Sequence, residues 1–125
     1  TKVIPAGGII MAGFASEPTK SDSSTIRFLL CNGQAVSRTT YSALFSAVST
    51  TFGVGDGSST FNVPDMLGRM PIGSGAGSGL TSRTLGVKVG AENLAGGSNV
   101  ASGSNYSYAI TNPATGVNFF IATEK

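Results

Sequence analysis

The chain has no histidine, one cysteine and a charged fraction of 11% in 125 residues, and each scarcity removes a class of chemistry. Without histidine, a nucleophilic serine would need a lysine or carboxylate as its base, and Lys2, Lys20, Lys88 and Lys125 follow no Ser-x-x-Lys spacing. The same absence, with Cys31 alone, excludes an intrachain disulfide and a Cys/His zinc site within one chain. Cys31 itself ends an apolar run, FLLC, and reads as a small buried hydrophobe. Phosphate-cradling and dinucleotide-binding glycine motifs are also missing, because GSGAGSG lacks a strand-to-helix context. Asp56, Asp65 and Glu92 are the internal carboxylates away from the polar N-terminal loop, and no pattern sets two of them face to face. The expectation is a protein that is not an enzyme and needs no cofactor or metal.

Eight basic residues scattered singly, for a net charge of +2, make no stripe that would follow a phosphate backbone, so nucleic acid is excluded as an expected partner. No apolar stretch reaches membrane-spanning length, and no membrane insertion is expected. The start, TKVIPAGGIIMAG, lacks a signal-peptide pattern, and without an initiator Met it reads as part of something longer.

What is present is short-strand and turn chemistry. GIIMAGF (8–14) reads as a strand, ASEPTKSDSST (15–25) as a polar loop, and IRFLLC (26–31) as a strand apolar on both faces, hence central. Asn32-Gly33 supplies a tight, hairpin-like reversal into Gln34-Ala35-Val36. Tyr41, Leu44, Phe45, Val48 and Phe52 form one helical stripe, predicting a main helix over about 39–52, capped by Thr39 or Thr40 and ended by Gly53. Thr60–Val63 is a brief strand stopped by Pro64. Ten of the 18 glycines fall in 71–116, where large apolar residues occur singly, so this segment cannot bury much by itself. The last run, GVNFFIAT (116–123), is a strand with Val117, Phe119 and Ile121 on one face and Phe120 and Ala122 on the other. Both faces want cover, which points to a neighbouring chain.

The order of these features carries a resemblance. GGIIMAGF, then FLLCNGQAVSRTTYSALFSAVSTTFGVGDGSSTFNVPDMLGRMPIGSG, then GLTSRTLG, GAEN and NPATGVNFFI together resemble the phage tail collar domain family of bacteriophage tail fibres and short tail fibre C-terminal regions. The resemblance implies an α+β fold: a small collar-type domain over 1–72, then a glycine-rich distal tip over 73–125 whose C-terminal strand packs back on the collar or trimer. It further implies an intertwined homotrimer in the virion, at a tail fibre or tail tip, meeting other phage tail proteins and a bacterial surface glycan or outer-membrane receptor. Family members that attach to cells bind lipopolysaccharide, and some hold their knob with metal on histidines from every chain. That metal site cannot exist here, and the stretch between GAENLAG and TNPATGVNFF is too short for the large receptor-binding head of longer relatives.

Individual residues divide into two expected roles. Tyr106 and Tyr108, with Asn99, Asn105 and Asn112, offer flat apolar faces and adaptable hydrogen bonds suited to sugars or protein, although tyrosines at i and i+2 equally suit packing on one strand face. Arg83, in GLTSRTLG, suits an acidic saccharide or an acidic neighbour. Asp56 in GDGS reads as a turn aspartate, and Asp65 with Arg69, flanked by Pro64 and Pro71, as a pair that ties down its own loop. The expected function is non-catalytic adhesion to the host-cell surface; the alternative is a purely structural virion component, a baseplate or tail-tip connector.

Overall fold

The computed structural model describes residues 4–17, 27–90, 93–94, 108–109 and 114–124. The chain forms two units, Thr1–Gly86 with Val117–Lys125 and, separately, Val87–Gly116. Among the described residues eight elements follow in order: β1 (Ile9–Ala12), β2 (Phe28–Leu30), β3 (Ala35–Ser37), α1 (Ser42–Val48), β4 (Thr60–Asn62), β5 (Asn93–Leu94), β6 (Tyr108–Ala109) and β7 (Asn118–Ala122). The fold is mostly β with one helix, an arrangement compatible with α+β. In the second unit β5 pairs antiparallel with β6, Leu94 opposite Tyr108.

In the first unit the C-terminal strand is the centre. β7 lies antiparallel between β1 and β2, with Ile121 opposite both Ile9 and Leu29, and Phe120 opposite Ile10 and Leu30. Opposed residues share a face, so Leu29 and Ile121 project together into a core completed by Cys31, Leu44, Phe61 and Val63. On the opposite face the Phe120 ring meets Phe14, centroids 4.8 Å apart. Phe120, Ile121 and Ala122 are all fully buried by their own chain. For these three residues the cover comes from the same chain, with β1 and β2 flanking the strand on either side.

β2 is an edge strand, contrary to the central position expected from its apolar faces. The outward N–H of Leu30 is taken by the Glu17 carboxylate at 3.0 Å, which blunts that edge. Asn32-Gly33 does not close a hairpin either. Gly33, at φ +80°, redirects the chain so that β3 pairs with β4 in a second sheet, Val36 opposite Phe61.

The helix is half the expected span. Neither Thr39 nor Thr40 caps it; Ser37 Oγ accepts both of their N–H groups, at 3.2 and 3.1 Å, and Tyr41 takes the N-cap position with no side-chain cap. Its end comes at Ser49, φ +50°, ahead of Gly53. Ser49, Thr50 and Thr51 favour turns over helix, and the chain continues as tight turns, with Thr51 N–H on Val48 O and Gly53 N–H on Thr50 O. Four of the five stripe residues nevertheless face the core as read, Leu44 fully buried with Tyr41, Phe45 and Val48 packed against it, while Phe52 lies beyond the helix end.

Candidate recognition surface

Three loops leave this body, and each is anchored differently. The first, 53–60, is built on Asp56, whose Oδ1 accepts the N–H groups of Ser58 (2.9 Å), Ser59 (2.7 Å) and Thr60 (3.0 Å) while Oδ2 accepts the Ser59 hydroxyl. These donors favour the charged form, so the carboxyl titrates well below the usual carboxylate range, the Ser59 hydroxyl contributing most. The oxygens are turned onto the loop itself.

Two residues passed over in the sequence hold this loop to the body. Arg38 donates from Nε to Thr60 O (2.7 Å) and from Nη2 to Val54 O (3.2 Å), and its guanidinium stacks over Phe45, 4.7 Å from the centroid. Asn62 accepts the Gly55 N–H on Oδ1 (2.9 Å) and donates from Nδ2 to Gly33 O (2.9 Å). The Arg38 bonds and the Asn62 bond to Gly33 join residues 16 to 29 apart in sequence, so no local spacing could announce them.

The second loop holds Asp65 and Arg69. Their four-residue spacing is produced by a glycine turn: Arg69 N–H bonds Met66 O at 3.1 Å across Gly68, φ +69°. Asp65 Oδ1 accepts the Leu67 N–H at 3.3 Å, and Arg69 Nε lies 3.9 Å from Oδ2, a long, half-exposed ion pair. Asp65 also bridges Asn32, with Met66 N–H on Cys31 O and Gly33 N–H on the carbonyl of buried Pro64. This junction welds the turn to the exit of β2. Beside it Cys31 is sealed, its thiol pushed up to about 12 by burial.

The third loop is different. Every residue from 67 to 82 is exposed. Gly75 and Arg83 exchange both main-chain hydrogen bonds, 2.7 and 2.9 Å, which closes a loop with a turn at Gly77–Leu80. Exposed Leu67, Met70, Ile72, Leu80 and Leu85 decorate this arm. Gly86 docks its end on the body: at φ +85°, an added Cβ there would stand 2.6 Å from Thr51 O. An open apolar groove of about 440 Å³ lies between Pro5–Ile9, Ala47, Val48, Phe52 and Leu85.

Of the candidate contact residues, Arg83 is half-buried at the base of the arm and Tyr108 lies in β6 of the other unit. Asn99, Asn105, Tyr106 and Asn112 lie outside the described residues.

Residues 7–71 match the profile of the Phage Tail Collar Domain. No curated protein matches the chain.

Proposed function

Because the chain belongs to the phage tail collar domain family, and so to the tail of a phage virion, we propose that it is a non-catalytic, homotrimeric piece of a tail fibre or tail tip that adheres to the bacterial surface. The observation that carries this reading is the arm at 67–82, wholly exposed and yet fixed at both ends to an anchored body. A loop held on a rigid scaffold presents contact groups without paying much ordering entropy on binding. Arg83 and Tyr108, with Asn99, Asn105, Tyr106 and Asn112, are the polar and aromatic groups we assign to a surface glycan or outer-membrane receptor. The non-catalytic part is supported by Asp56 and Asp65, which direct their carboxylates to their own loops. Trimer formation is supported by Ile9 and Met11, both exposed on β1, the outer strand of the three-stranded sheet among the described residues, where a neighbouring chain would cover them.

The experiment is binding of the purified protein to host cells and to isolated lipopolysaccharide. No binding under conditions where whole phage adsorbs would remove the adhesive role. A second reading then stands, a structural component contacting other tail proteins, and one observation favours it: the arm's exposed side chains are mainly apolar, which suits protein better than sugar. Mass in solution tests the trimer, and a monodisperse single chain at micromolar concentration overturns it.

A further inference from the structure

We propose that Asn32 is a chemical modification site, an asparagine–glycine pair able to cyclise and lose ammonia, which the folded chain holds closed. Asn32 is the one asparagine followed by glycine in the sequence, and it is exposed to water. In such a pair the main-chain nitrogen of Gly33 attacks Cγ of Asn32 unhindered by a side chain. The N–Cγ bond forms, the Cγ–Nδ2 bond breaks, and the departing amide leaves as ammonia with the Gly33 amide proton. Water then opens the five-membered imide at either carbonyl, giving aspartate or isoaspartate. The balance is asparagine plus water to acid plus ammonia, with no oxidant or reductant.

The fold opposes each part of this step. The Gly33 N–H is engaged by Pro64 O at 3.1 Å, and the Asn32 side-chain oxygen is held by the Gln34 N–H at 3.1 Å. Asn62 Nδ2 fixes the Gly33 carbonyl at 2.9 Å, and Asn32 is pinned opposite Asp65 by the bridge. Nucleophile and target are thus held by separate partners, and attack requires the junction to open first. Conversion would be irreversible. Either product sets a new carboxylate opposite Asp65, and isoaspartate also routes an additional carbon into the main chain between residues 32 and 33, which removes the register of the Pro64 and Asn62 bonds. The junction that joins β2 to the 64–69 turn is therefore also the place where the domain ages, whatever its role in the tail.

The test incubates the protein in warm, mildly alkaline buffer, folded and in unfolding urea, and follows the peptide containing residue 32 by mass spectrometry. Conversion in the folded protein should be at least about tenfold slower than in urea. Asn62→Ala should raise the folded rate about threefold or more while leaving the rate in urea unchanged. Equal folded and unfolded rates, or a folded rate indifferent to Asn62→Ala, overturn the proposal. Hydrogen exchange on the unaltered protein is a second readout: the Gly33 amide should be protected, and exchange at the unfolded-chain rate would refute the lock.

Discussion

Phe61 and Leu80 stand in the same unit of one chain, and their surroundings are opposite. Phe61 is fully buried, paired across β4 and β3 with Val36 and packed 5.1 Å from the Phe45 ring. Leu80 is 73% exposed at the tip of an arm that closes on itself through one pair of main-chain hydrogen bonds. The body derives its order from apolar burial, the arm from backbone geometry at glycines. One is covered and the other bare, and substitutions should separate them.

The largest effect is expected in the body. Phe61→Ala should lose about 3–5 kcal/mol in urea unfolding, and Leu80→Ala within about 0.5 kcal/mol of none, because truncation leaves a cavity only where neighbours surround the ring. Similar losses at both positions would erase the distinction between body and arm. Next comes the hinge between them: Gly86→Ala adds strain at a positive φ and a collision with Thr51 O, and should destabilise by about 1–3 kcal/mol. Gly79→Ala, with φ +74° but open space around the added carbon, should cost less. Arg38→Ala removes two carbonyl contacts and the stacking on Phe45, for about 1–2 kcal/mol, and Arg38→Lys should recover little because the forked geometry is lost.

The smallest effects belong to the charges. Asp56 has a folded titration below its ordinary value, so its contribution is present above the unfolded value of about 3.9 and is lost as pH falls through the window beneath it. Acid unfolding of Asp56→Ala should accordingly be less steep below about pH 4 than that of the parent chain. An unchanged acid limb would mean the loop hydrogen bonds do not hold the carboxylate in solution. Arg69→Ala, at a 3.9 Å exposed pair, should shift stability by no more than about 0.5 kcal/mol.

Much of the body was legible in the sequence because its signals are local. The Leu44–Phe45–Val48 stripe, the strands at 9–12 and 60–62 and the buried Cys31 follow from periodicity and flanking glycines. The errors have two causes. The edge position of β2 and the failure of Asn32-Gly33 to make a hairpin were settled by partners distant in sequence, β7 beside β2 and β4 beside β3, whereas helix length was settled locally, by Ser37 at its start and by Ser49, Thr50 and Thr51 at its end. The loop anchor Arg38 and the Asn62 tie to Gly33 were missed because those bonds span 16 to 29 residues.

The sequence by itself determined the family, through motifs that run in order from 7 to 71. It also determined that Asp65 and Arg69 sit at a turn, because prolines and Gly68 admit little else. Only the tertiary structure decided that β7 is the centre of the sheet, that its phenylalanine is covered from within by Phe14, and that the arm beyond residue 67 is left bare. The physical reason is that burial belongs to whatever the chain brings together: an apolar run specifies that it must be covered, and the fold specifies what covers it.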